Sequence, residues 1–191
     1  SANLNYALLD STDLTSADLS WVISGNIEGT PILPGAWKLV SGYLIGPLSN
    51  LEDALLTGAD LSDTDLSSAN LQGADLSYSV LTASVLGGAN LFQASLVSSA
   101  LQNASLVDAD LSFSDLSGAD LSHSDLTSVN MTGANLSDTN LSDAELKWVS
   151  SGGIIGIPTL SEPWQIVSGY LIGPEADLYD ADLAEASMTH M

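Results

Sequence analysis

The chain has no cysteine and no arginine, and its 191 residues include two lysines, two histidines and two phenylalanines. Without cysteine, disulfides and thiolate metal sites are excluded. Lys38 and Lys147 stand against 24 acidic residues, a formal charge of −22. Phosphate recognition needs cationic side chains, so direct nucleic-acid binding and attachment to anionic membrane surfaces are not expected. No apolar run reaches the roughly 18 residues that a membrane-spanning helix needs, so no membrane partner is expected either.

Catalytic constellations are missing too. His123 and His190 cannot supply a zinc cluster or a histidine-based triad, and no G-x-S-x-G elbow occurs. Carboxylate pairs such as Asp60 with Asp63 recur throughout the sequence, so none is singled out as an acid and its base. Neither the EF-hand spacing nor a glycine-rich calcium nonapeptide is present. The expectation is a non-enzyme without cofactor or metal centre, whose acidic surface holds cations weakly and diffusely. The chain begins at Ser1 without a basic, apolar leader, as a processed product or a segment of a longer protein would.

What is present is a period of five. Leucine occupies every fifth position from Leu51 to Leu146, twenty centres in all, with Met131 the single exception. Two residues before each centre sits a small residue such as Ala54, Ala59, Thr64, Ala69 or Ser79, and the residue between is usually Asp or Asn. The same unit spans Leu4 to Leu19 and resumes at Leu178, Leu183 and Met188. Five matches neither the 3.6 of a helix nor the 2.0 of a flat strand. One large and one small inward position, separated by one outward residue, suit a short extended segment followed by a corner.

This A-(D/N)-L-x-x pattern, as in ADLSD, ANLQG and ADLSY, resembles the pentapeptide-repeat family. The resemblance implies an all-β fold, a right-handed quadrilateral β-helix with four pentapeptides per coil. Residues 1–191 are then a single pentapeptide-repeat solenoid, with twenty central repeats making five coils about 4.8 Å apart.

Two segments break the period. WVISGNIEGTPILPGAWKLVSGYLIGP (21–47) and WVSSGGIIGIPTLSEPWQIVSGYLIGP (148–174) have 27 residues each and share 17 identities. Leu19 to Leu51 and Leu146 to Leu178 are both steps of 32, so each segment reads as a 27-residue insert in one five-residue step. Both inserts leave the rod at the same corner. Alternation of Trp37, Leu39, Tyr43 and Ile45 predicts one half-buried strand. Its hairpin partner begins at Trp21 and Val22, Pro31 to Gly35 form the turn, and the hairpin lies on the outer wall. Trp21, Trp37, Tyr43, Trp148, Trp164 and Tyr170 either pin the hairpins to the rod or offer a recognition edge.

Outward residues should stack in columns, one reading Asn50, Asn70, Asn90, Asp110 and Asn130, another Asp65, Val85, Ser105, Asp125 and Glu145. Stacked asparagines can hydrogen-bond along a column. From Asp75 to Asp108 no charge intervenes, and outward Tyr78, Val80, Val85 and Phe92 make this belt a secondary candidate surface.

Three functions are compatible with these features. The first is a non-catalytic structural or protein-interaction rod, its partner an unknown protein, itself a monomer or weakly associated end to end. Second, the resemblance implies an acidic DNA mimic that binds a type II topoisomerase, although the neutral belt interrupts the acidic surface. The third is an extracellular or cell-surface module taking up divalent cations, a location slightly favoured over the cytoplasm.

Overall fold

The structure, a computed structural model, describes residues 2–179 and 181–183; Met188 and His190 lie outside the described residues. Asp60 shows how one pentapeptide folds. Its Oδ1 accepts from Ser62 N at 3.1 Å and from Ser62 Oγ at 2.6 Å, holding the chain in a turn two residues ahead. Asp65, Asp75, Asp110, Asp115, Asp120 and Asp125 accept from the equivalent backbone N–H. The next residue takes the left-handed conformation, as Asp63 (φ 51°), Ser68 (φ 54°) and Gly88 (φ 65°) do. Each unit therefore turns its own corner, and where Asp or Asn precedes the leucine its side chain ties that turn; the corners after Val80, Ser95 and Ala100 form without it, at Ala83 (φ 57°), Ser98 (φ 53°) and Asn103 (φ 59°).

Parallel bridges join residues twenty apart in four columns, those starting at Asn50, Leu55, Asp60 and Asp65. Asn50, Asn70, Asn90, Asp110 and Asn130 form one column, and Asp65, Val85, Ser105, Asp125 and Glu145 another, as expected. Centre leucines from Leu51 to Leu141 are sealed inside the rod, each at 0–1% exposure. Where serine replaces alanine at the small inward position, its hydroxyl needs a partner. Ser79, Ser84, Ser99, Ser114 and Ser124 each donate to the leucine carbonyl three residues back, at 2.6–2.7 Å. Among the described residues, Ser49 Oγ is the one buried side-chain polar atom without a partner.

The two 27-residue segments differ from the expectation. Asn3, Leu8 and Asp13 bridge to Ile23, Glu28 and Ile32, and Ile23 bridges on to Asn50. Asn130, Asn135 and Asn140 bridge to Ser150, Ile155 and Thr159, and Ser150 bridges on to Asp177. The first part of each segment thus continues the ladder. The rung from Ile23 to Asn50 takes 27 residues instead of 20, seven more than its neighbours.

The strand expected over 37–45 is a hairpin in itself. β1 (Lys38–Val40) pairs antiparallel with β2 (Tyr43–Ile45). The turn is Ser41 (φ 51°) and Gly42 (φ 79°), the left-handed pair that a tight hairpin favours, and not Pro31 to Gly35. After the short parallel pair β3 (Asn140–Leu141) and β4 (Thr159–Leu160), β5 (Gln165–Val167) and β6 (Tyr170–Ile172) repeat the hairpin around Ser168 and Gly169.

Nor does this hairpin lie on the outer wall. Leu44 and Ile45 are fully buried, as are Leu171 and Ile172. Leu44 packs into a small cluster with Leu9, Leu19, Val22 and Ile27, while Ile45 joins the long leucine core. Successive residues of a strand face opposite ways, so β2 runs between the two clusters and fills the enlarged rung. Leu44 N donates to Ser24 Oγ at 2.9 Å and Ile27 N to Gly42 O at 3.0 Å. Leu171 N with Ser151 Oγ and Ile154 N with Gly169 O reproduce both bonds.

Candidate functional site

The six aromatic residues singled out in the 27-residue segments divide into three pairs. Trp37 packs its fused rings on Gly46 and Trp164 on Gly173, with no room at either glycine for a β-carbon. Both indoles are half-buried. Tyr43 and Tyr170 are half-buried as well, their rings against Gly25 and Gly152. Leu55 N donates to the Tyr43 hydroxyl at 3.1 Å and Asp182 N to that of Tyr170 at 3.3 Å. These four residues are held in packing.

Trp21 and Trp148 are placed differently. Both occupy left-handed corner positions (φ 59° and 53°), and their backbone N–H groups donate to Leu48 O and Glu175 O. The side chains are 51% and 59% exposed. From the bridge column, Ile23 to Asn50, Asn70, Asn90, Asp110, Asn130 and Ser150 makes six rungs. Trp21 and Trp148 therefore share one corner column, about 29 Å apart at the strand spacing.

The belt residues do not converge. Tyr78 stands on a corner at 65% exposure, and the exposed Val80 and Val85 lie in two different columns. Phe92 makes an edge-to-face contact with Phe113 at 5.8 Å between ring centroids. Phe113, a corner residue covering Gly133, belongs with Phe92 and was not singled out in the sequence, because it lies outside the uncharged stretch.

Asparagine ladders line the outer columns. Asn70 Nδ2 donates to Asn50 Oδ1 at 3.3 Å and Asn90 Nδ2 to Asn70 Oδ1 at 3.1 Å. Further along, Asn130, Asn135 and Asn140 donate to Asp110, Asp115 and Asp120 at 3.0–3.1 Å. Asp60 and Asp75 are held below their ordinary pKa, first by the hydroxyls and then by the backbone N–H groups of Ser62 and Ser77. His123, at its corner, lies 3.9 Å from Asp143. No group of three potential metal ligands occurs among the described residues, and none of their helices is long and apolar enough to cross a membrane.

A profile for pentapeptide repeats matches eight copies over residues 49–82, 74–112 and 104–143. Among solved structures, a pentapeptide repeat protein of the Arabidopsis thaliana thylakoid lumen is 32% identical over 47% of this chain and 63% of its own, with a TM-score of 0.46. QnrB1, a plasmid-mediated fluoroquinolone resistance protein, is 14% identical over 83% of this chain and 62% of its own, with a TM-score of 0.41. A pentapeptide repeat protein from Nostoc PCC 7120 is 30% identical over 59% of this chain and 84% of its own, with a TM-score of 0.21. The chain thus spans less than two thirds of the first two relatives, and its sequence matches no curated protein. With its leucine column, aspartate-turned corners and twenty-residue rungs, the chain belongs to the pentapeptide-repeat family, whose fold is the right-handed quadrilateral β-helix.

Proposed function

We propose that the described residues form one closed, non-catalytic solenoid that binds a protein partner through the corner carrying Trp21 and Trp148. One observation carries this reading. Of the four tryptophans, two are spent on packing against glycine, while the other two stand out from the same corner, each more than half exposed. Tryptophan is enriched among residues that dominate binding energy, and a folded rod has no stability reason to hold two indoles in water. The partner presents a basic or neutral face, because a surface with a formal charge of −22 repels acidic ones. A core of closely packed leucines along the described rod supports a non-catalytic role, since substrate sites are concave pockets.

The test is a paired capture experiment. Trp21→Ser and Trp148→Ser are compatible with the left-handed corner, which Ser68 and Ser128 already adopt. The doubly substituted chain, with an unchanged circular-dichroism spectrum, should lose a protein that the original chain retains at matched salt. Equal retention by both chains would refute the assignment.

A further inference from the structure

Beside Trp21 the rod carries a groove of about 340 Å³, lined by Trp21, Ser68, Ala69, Asn70, Gly88 and Asn90. We propose that this groove binds a neutral sugar chain, laid along the corner with one ring against the Trp21 indole. This goes beyond the protein contact proposed above and concerns a different class of ligand.

The groove is open at Gly88, which has no side chain. A β-carbon at Gly88 would meet nothing nearer than the Ser68 hydroxyl at 3.4 Å. Gly88 is not needed for its backbone conformation, since Asp108 and Ser128 hold the same left-handed corner two and three rungs further from Trp21 than Ser68 does. Glycine therefore leaves space here that the fold does not require.

The lining is an aromatic surface with neutral hydrogen-bonding groups. Asn90 gives one N–H to Asn70 and accepts Phe92 N at 3.1 Å, which leaves its second amide N–H uncommitted. The Ser68 hydroxyl and the Trp21 indole N–H have no protein partner among the described residues. No lining residue is ionisable, and the one carboxylate bonded to a lining side chain, Glu52, receives Asn70 Nδ2 at 3.5 Å. An anionic ligand finds no cation here, and a cationic one finds no carboxylate in the lining.

A neutral polyol matches such a set. The carbon-bound hydrogens of a sugar ring cover an indole face, and its hydroxyls both donate and accept. A peptide matches less well, because added strands need free backbone groups. Here the N–H groups of Ser68, Asn70, Gly88 and Asn90 already donate to Gly87, Ser49, Val107 and Ala69 carbonyls. Asn70 and Asn90 lie one strand spacing apart, about 4.8 Å, so a chain lying along the rod meets an amide at each rung.

The second wide rung supplies an internal control. Trp148 occupies the same corner, but the residues beyond it there are Glu175 and Asp177, which make its surroundings acidic. Calorimetry on the full chain with cellohexaose, maltohexaose and chitohexaose, and tetragalacturonate as the charged counterpart, tests the proposal. At least one neutral hexasaccharide should bind with a sub-millimolar Kd while tetragalacturonate does not. Trp21→Ser and Gly88→Asn, the latter a filled groove in a conformation Asn103 already adopts, should each weaken binding about tenfold or more. Trp148→Ser should leave sugar affinity unchanged while removing protein capture, which separates failure of this proposal from failure of the protein contact. Absence of binding by every neutral hexasaccharide at millimolar concentration would overturn it. So would affinity undiminished in a folded Gly88→Asn chain, or a neutral peptide displacing the sugar as the tighter ligand.

Discussion

Trp37 packs on Gly46, and 127 residues later Trp164 packs on Gly173 in the same way. Both contacts close a 27-residue rung over its internal hairpin, so the invariant glycine before the last proline of each segment is a steric requirement. Gly46 has no left-handed backbone angle, and alanine there acts through volume alone. Gly46→Ala should destabilise the chain by about 1–3 kcal/mol, the usual range for overpacking, measured by urea unfolding. Trp37→Leu in the same chain should recover part of that loss. A neutral Gly46→Ala would show that the indole moves aside freely.

The leucine column predicts a gradient of sensitivity. Leu96 is fully buried with rungs on both sides, while Leu4 in the first rung is half-buried. Leu96→Ala should cost about 2–5 kcal/mol and Leu4→Ala clearly less, because stability in a solenoid is a sum over neighbouring rungs. Thermal unfolding of the two variants side by side checks this.

The regular part of the fold was legible because its two rules are local. Each leucine is buried by its own rung, and each five-residue unit turns its own corner, tied by an Asp or Asn side chain where one precedes the leucine, so the period carries the architecture. The 27-residue rungs were not legible from period, since 27 is twenty plus seven and, although Ile23 and Glu28 keep the five-residue step, Ile32 follows after four and none of these ladder positions carries the repeat's Asp-Leu pair. Alternating aromatics suggested one strand through Trp37 to Ile45. The Ser41-Gly42 pair inside it is a turn signal, and it outweighs the alternation. Burial completed the misreading: Leu44 and Ile45 are consecutive and both inside, which happens only where a strand has core on both faces. The division of the aromatics was invisible for a related reason. Trp21 and Trp37 look alike in sequence, but one sits on a left-handed corner and the other opposite a glycine. The groove at Gly88 needed the coil register, which brings Gly88 one rung beyond Ser68 and beside Asn90.

Asn90 sits between Asn70 and Asp110 in its column and donates to Asn70 Oδ1. Asn90→Asp removes that donor and sets two carboxylates one rung apart, a like-charge pair across adjacent strands. The variant should lose about 0.5–1.5 kcal/mol at low salt, and added sodium chloride should restore part of it by screening. Urea midpoints at two ionic strengths measure both effects. A loss that does not respond to salt would assign the penalty to the missing hydrogen bond alone.

Asp60 links the corner chemistry to pH. The Ser62 hydroxyl, then the Ser62 N–H, and more weakly the Lys38 charge hold its carboxylate below the ordinary value of 3.8, against a small opposing effect of burial. A folded-state pKa below the unfolded one means that the ionised corner favours folding. That contribution is complete above the unfolded value, near 3.9, and is lost as pH falls through the folded one. Asp75, with the hydroxyl and N–H of Ser77 and the hydroxyl of Thr57, follows the same direction. Carboxyl carbon resonances should therefore show Asp60 titrating below free aspartate. Ser62→Ala should move its midpoint up towards 3.8, and Lys38→Gln should move it less, since the hydroxyl is the larger cause. A midpoint indifferent to Ser62→Ala would mean that the backbone N–H alone holds the corner, and serine after the leucine would then be a solubilising choice with no part in the turn.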